Sequence, residues 1–407
     1  MKPIIYLSFF ALLLSACKTS GIKPGSDTAI DYSETDLEIV KANNRFSLEL
    51  FKNSYENKDE NILLSPFSAS MVLAMTANGS KESTLSGMTE ALRLGSFSQE
   101  ERNSFYQKAF HNLKILDPKT HIQVANSIWH KDDFSVEKSF LDMNKKYFQA
   151  TVQGLDFSRP ESAETINEWV RENTQNKIDG IIDGQIPQDM MLYLVNALYF
   201  KGEWMDKFNT DKTQKANFHL KNGKVEEVPF MHKSSLKAGY YEDETAEYIE
   251  LPYGNGSYSM LISLPNEKSS LEAYMEKESL EYWQEVKSKL KETKIDLRLP
   301  KFKFDFEESL NNSLAKMGMT EAFNESADFS GIHPTAALMI SEVKQKAFIE
   351  VNEEGTEASA ATGVGIVVTS MPMLTKVNVN RPFSFVIQEN DSGLILFKGI
   401  VSNPNLQ

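Results

Sequence analysis

Ile39, Ala42, Phe46 and Leu50 recur three or four residues apart in an otherwise polar stretch, the spacing of one helical face. Thr35 and Glu38 stand just ahead at capping-box spacing, so the folded part of the chain is expected to open with an amphipathic helix. Ser65 followed by Pro66 marks a second helix start, with serine as cap and proline in the first turn, and Gly79 is its expected stop. Ile122 to Trp129, Met191 to Phe200, Tyr258 to Leu264 and Leu394 to Ile400 are short apolar runs that read as strands. Ile295, Leu297 and Leu299, then Phe302, Phe304 and Phe306, alternate with polar residues, which is the period of a half-buried strand. The charges mixed along Leu271 to Lys294 read as a solvated helix face. Helical patterns dominate the first third and strands the rest, without a βαβ rhythm. A mixed α+β architecture with antiparallel strands in more than one sheet is expected, as one large domain from about Thr35 to Gln407.

The beginning of the chain departs from that pattern. Lys2 precedes an uncharged, mainly apolar stretch from Pro3 to Leu14, too short to span a bilayer and shaped like the hydrophobic segment of a secretory signal. It closes on Leu14-Ser15-Ala16-Cys17, which resembles the lipobox of bacterial lipoproteins, where cleavage leaves a cysteine that accepts lipid. Cys17 is the single cysteine of the chain, so intrachain disulfides, Cys-rich zinc sites and C-x-x-C redox pairs are excluded. An ordinary signal peptide with an incidental cysteine is the alternative. The expected layout is a signal peptide over residues 1–16, a lipidated tether over 17–34 and a folded domain over 35–407. That makes the chain an exported bacterial lipoprotein, attached to a membrane through Cys17 and facing the periplasm or the cell surface. Across its 407 residues the net charge is −14 with no basic patch, so nucleic acid is not an expected partner.

Enzyme motifs are missing. The chain has no H-E-x-x-H, G-x-S-x-G, P-loop or G-x-G-x-x-G, and its six histidines show no metal-ligand spacing, so no metal or cofactor is expected. Ser65 as a hydrolytic nucleophile is a third-rank reading beside its role as a helix cap. One segment is unusual: Gly355 to Met371 holds seventeen residues with no proline, no aromatic and one charge. As a strand it places Thr356, Ala358, Ala360, Thr362, Val364, Ile366 and Val368 on one small or apolar face. The four small residues Ala358 to Ala361 and the two glycines that follow, Gly363 and Gly365, give poor strand propensity, so the segment suits two states, an exposed loop and a strand inserted between others.

That segment and its leader, Phe348-Ile349-Glu350-Val351-Asn352-Glu353-Glu354-Gly355-Thr356-Glu357-Ala358, resemble the hinge of the reactive-centre loop of the serpin family. Asn61 to Ser68, Asn196 to Trp204, Leu299 to Phe302, Arg381-Pro382-Phe383, Leu396 to Gly399 and Asn403-Pro404 resemble further family motifs, so the likeness spans nearly the whole body. It implies an α+β serpin fold with three β-sheets, about nine helices and an exposed loop offered to a protease. It further implies a suicide inhibitor, not an enzyme: the loop is cut, the acyl-enzyme forms, and the freed upstream half enters the main sheet with the protease attached. Thr356 to Thr369, fourteen residues at roughly 3.3 Å each, would reach about 46 Å. Each added backbone hydrogen bond contributes on the order of 1 kcal/mol, so the starting form is expected to be a kinetic trap.

Carried over by resemblance, the loop hinge is Glu353, Glu354, Gly355, Thr356, Glu357, Ala358, Ser359, Ala360 and Ala361. Trp204, Lys301 and Glu353 match the breach at the top of the main sheet; Ser65, Ser68 and Asn196 match the shutter beneath it. Gln345 stands where the family's shutter histidine is expected, and an amide cannot titrate near pH 6.5. Counting from Gly355 puts the reactive bond between Thr369 and Ser370, with Val368 and Met371 as fallback positions. No Lys or Arg occurs between Glu354 and Thr375, so elastase-like or subtilisin-like proteases are the expected partners of a monomer, and papain-like cysteine proteases a further class. The rival reading is a non-inhibitory serpin acting as a binding protein. Such members often carry Pro or charge where this chain has Thr356 and Ala358 to Ala361.

Overall fold

A computed structural model of the chain describes residues 30–55, 60–356 and 374–406. The leader with Cys17, the hinge positions Glu357, Ala358, Ser359, Ala360 and Ala361, and the reactive-bond positions Val368, Thr369, Ser370 and Met371 lie outside the described residues. In chain order the elements begin α1 (Glu34–Ser54), β1 (Ile62–Leu64), α2 (Pro66–Ala77), α3 (Glu82–Ala91), α4 (Gln99–Asn112), β2 (Thr120–Lys131), α5 (Lys138–Phe148), β3 (Thr151–Leu155), α6 (Pro160–Asn173) and β4 (Leu192–Glu203). There follow β5 (Gln214–His219), β6 (Val225–Glu242), β7 (Ala246–Tyr253), β8 (Tyr258–Pro265), α7 (Leu271–Lys277), α8 (Leu280–Lys289), β9 (Lys291–Pro300) and β10 (Phe302–Ser309). The chain closes with α9 (Asn311–Leu314), β11 (Lys344–Asn352), β12 (Gly355–Thr356), β13 (Thr375–Asn378), β14 (Phe383–Glu389) and β15 (Ile395–Val401).

The expected strands all form, within a few residues of their predicted ends. Three details of the helices differ. The capping box of α1 is Ser33 with Asp36, two residues earlier than Thr35 with Glu38, and Ile30 and Tyr32 pack against the core, so the folded body starts inside the stretch read as tether. The second helix stops at Ala77, with Asn78 rather than Gly79 at its cap. Leu271 to Lys294 is two short helices and the start of a strand, and Leu271, Tyr274, Met275, Leu280, Trp283 and Val286 are buried beneath its charged side.

One sheet has six strands in the order β10-β11-β12-β4-β2-β3, and the other path has nine, β1-β15-β14-β8-β7-β6-β9-β13 with β5 beside β6. The second path bends within the long β6, where the register against β9 shifts between Lys233 and Leu236. The first part of β6 pairs with β5 and its last residues with β7, which divides the path into a large sheet and a small one. The molecule therefore has three sheets, with nine α-helices among the described residues. Every residue of β8, β14 and β15 is buried, the reading of strands covered on both faces. β11 alternates buried and half-buried positions, so one face of the six-stranded sheet lies on the core and the other is half open. Over that open face run α6 and residues 174–191, which share a separate apolar cluster of Trp129, Phe157, Ile166, Val170, Ile182, Ile186 and Val195. Asp183 in this strap reaches Lys344 and Lys346 of β11. The strap thus crosses from β4 to β11.

Candidate functional site: the entrance and middle of the six-stranded sheet

β11 ends at Asn352, the chain turns through Glu353 and Glu354, and β12 runs back antiparallel to both neighbours. Thr356 stands opposite Val351 on β11 and Gly202 on β4; Gly355 stands opposite Asn352 and Glu203. Among the described residues β4 and β11 are joined through β12 and share no ladder of their own. A side chain at Gly355 is excluded: its φ is +153° and a Cβ there would lie 2.0 Å from the Gly202 carbonyl oxygen. Thr356 is 3% exposed, and its hydroxyl meets the Tyr253 hydroxyl at 2.6 Å. It faces inward, as the face predicted for an inserted strand requires.

The expected breach residues come together around this turn. Lys301 Nζ lies 2.8 Å from Glu353 Oε2, and Thr213 Oγ1 donates to Glu353 Oε1 at 2.6 Å. Burial pushes the Glu353 carboxyl up, but the hydrogen bonds from Lys301, Thr213 and the backbone outweigh it and hold it below the usual carboxylate range. Trp204 Nε1 donates to the Asn352 carbonyl at 2.9 Å, its backbone N–H donates to the Glu354 carbonyl at 2.7 Å, and its ring stacks on Tyr253 at 4.5 Å. Lys207 bonds Glu354 at 2.6 Å and Glu203 at 2.9 Å, and these contacts raise its ammonium above the ordinary range. Thr213, Lys207 and Tyr253 were invisible to motif reading.

The expected shutter residues also meet, at the first turn of α2. Gln345 accepts from the Ser65 backbone N–H at 2.8 Å and donates to the Ser65 carbonyl at 2.8 Å, a two-bond clasp from β11 to the helix cap. The Ser65 hydroxyl is buried and donates to the Leu396 carbonyl at 2.9 Å while receiving the Ser68 backbone N–H. That spends it on structure and removes the nucleophile reading. Ser68 Oγ donates to Asn196 Oδ1, tying β4 to the same turn. Asn126 on β2 was missed; it is the register partner of Asn196 and accepts from its amide at 2.6 Å. Both walls beside β12 are thus anchored to one helix start.

The family model of serpins, described as serine protease inhibitor, matches residues 41–404. The chain belongs to the serpin family. Leukocyte elastase inhibitor of Sus scrofa is 35% identical over 380 residues, covering 90% of this chain and 100% of that protein. Among solved structures, the thermophilic serpin tengpin in its native state superposes with a TM-score of 0.83 at 34% identity, over 94% of this chain and 97% of the other. Human thyroxine-binding globulin complexed with thyroxine gives 0.82 at 26% identity, over 91% and 99%. The fold is the serpin fold, and proteins of this family are protease inhibitors, not enzymes.

Proposed function

We propose that this serpin is a suicide inhibitor of endopeptidases that traps its target as a covalent acyl-enzyme once its loop is cleaved and enters the six-stranded sheet. The observation that carries this reading is the seating of Gly355 and Thr356 between β4 and β11, with Thr356 buried and the two strands joined only through them among the described residues. The sequence that follows Thr356 has no proline through Ala361 and only small residues from Ala358 to Ala361, so it suits the same slot. The breach cluster of Trp204, Lys301 and Glu353 holds the entrance, and Ser65, Ser68, Asn196 and Gln345 hold the walls below it. Thr369 and Ser370 carry the reactive bond, with Val368 and Met371 as neighbours that a protease can select instead. With no basic residue in the loop, elastase-like and subtilisin-like enzymes are the targets, and papain-like cysteine proteases a further class; similarity to an elastase inhibitor supports the first. Cys17 carries lipid and anchors the protein in a bacterial envelope.

Mixing the protein with pancreatic elastase tests this on a denaturing gel with mass analysis. A covalent complex and a released peptide beginning at Ser370 are expected. The second reading, a binding protein that is cut without trapping, is favoured by the likeness to thyroxine-binding globulin. Cleavage by every protease tried, with no complex, would establish it.

A further inference from the structure

The amides of the shutter leave a remainder that its serines do not take up. Asn196 Nδ2 carries two protons, and one goes to Asn126 Oδ1 at 2.6 Å. Asn126 Nδ2 likewise carries two, and one goes to the Phe148 carbonyl at 2.7 Å. The second proton of each amide points to the same atom, the sulfur of Met71, at 3.4 Å in both cases. Met71 is fully buried on α2 and Asn126 is 2% exposed, so the remaining proton of Asn126 has no water as a ready substitute, while Asn196 is half-buried.

We propose that Met71 is a positioning residue of the inhibitory reaction: its thioether is the grip by which α2 holds the β2–β4 pair, and its weakness as an acceptor sets how readily that pair parts from β11. This rests on the inhibitory reading above. Asn126 and Asn196 are register partners in one antiparallel ladder, so β2 and β4 travel together when the slot widens. The bonds that must then break are those from this pair to α2, which are the Ser68 hydroxyl and the two contacts to sulfur. A carbonyl oxygen at the sulfur's position would hold both amides with stronger bonds and slow the opening. An aliphatic carbon there would leave the buried Asn126 donor and the half-buried Asn196 donor without that acceptor, raise the energy of the closed sheet and speed it. Sulfur, polarizable and a weak acceptor, gives an intermediate hold.

The test uses the whole protein and a synthetic peptide copying Thr356 to Thr369, whose uptake into the sheet is followed by the rise in thermal stability, together with the number of inhibitor molecules consumed per trapped elastase. Met71→Leu keeps the volume and is expected to take up peptide about fivefold faster than wild type, the factor for a barrier lowered by about 1 kcal/mol. Met71→Gln restores an acceptor on a chain of the same length and is expected to be no faster than wild type. Met75→Leu, one turn further along α2, is the packing control and is expected to match wild type. A purely packing role for Met71 reverses the order, because glutamine in an apolar core destabilises more than leucine; uptake fastest in Met71→Gln, or equal in all variants, overturns the proposal. If wild type forms no complex and takes up no peptide, the inhibitory reading falls and this inference falls with it.

Discussion

The breach cluster around Trp204, Lys301 and Glu353 and the amide cluster around Ser65, Asn196 and Gln345 grip the same two strands, yet they use different chemistry. At the rim of the sheet the bonds are ionic and aromatic: Lys301 is about a third exposed, so its ammonium keeps part of its hydration while it pairs with a buried carboxylate. In the middle every partner is neutral: the amides and hydroxyls meet one another, backbone groups and the Met71 sulfur. Burying both partners of an ion pair would cost several kcal/mol, whereas a hydrogen-bonded amide network costs little. Whether one partner keeps its hydration separates the two chemistries and decides which cluster responds to solvent conditions.

The largest expected effect comes from breaking the rim sterically. Gly355→Val forces a side chain into the Gly202 carbonyl at a backbone angle that only glycine adopts readily, a strain of about 1 to 3 kcal/mol, so covalent trapping is expected to fall at least about tenfold while loop cleavage continues. Gel quantitation of complex against cleaved inhibitor checks it. Next comes the middle: Gln345→Leu strips both partners from the Ser65 backbone and is expected to cost about 2 kcal/mol in urea unfolding. The same loss is expected at pH 5 and pH 8, because nothing in that clasp titrates.

A smaller effect separates the clusters by pH. The Glu353 carboxyl sits below its ordinary value of 4.5, so its contribution is fully present above that pH and is lost as pH falls through the depressed folded value. Glu353→Gln should therefore flatten the acid limb of the stability curve by about 1 kcal/mol, discounted for the partly exposed lysine, and Gln345→Leu should leave that limb unchanged. The smallest effect belongs to the strap. Asp183→Asn removes its pairing with Lys344 and Lys346, and because Asp183 is mostly exposed the expected loss is under about 1 kcal/mol, fading in high salt.

Much of this was legible before any coordinates. Period-two alternation located β9 and β10, apolar runs located β8 and β15, and the Ser65-Pro66 start of α2 was read correctly because cap and first turn are local signals. Breach and shutter residues matched by motif do converge in space, as do the described hinge residues Glu353 to Thr356. What escaped reading depends on distance along the chain. Asn126 lies seventy residues from Asn196, and a single Asn in an apolar run carries no meaning until register pairs it with another. Thr213 and Tyr253 reach Glu353 and Thr356 across more than a hundred residues. Met71 reads as an ordinary core methionine, since only geometry shows which atoms face its sulfur. The capping box of α1 was misplaced because Thr35 and Glu38 offer the same spacing as Ser33 and Asp36, and the packing of Tyr32 decides between them.

The strap over the six-stranded sheet carries a core of its own, built from Trp129, Ile166, Val170, Ile182 and their neighbours and separate from the main one. A cluster that small holds its cover with less free energy than the whole molecule has, so α6 and residues 174–191 form a unit able to lift while the sheets beneath stay folded. Amide protons of α6 are then expected to exchange with deuterium faster than those of β8 and β14, at a rate nearly independent of global stability. Whatever enters between β4 and β11 passes under that cover, and the exchange rate of α6 measures how often the passage stands open.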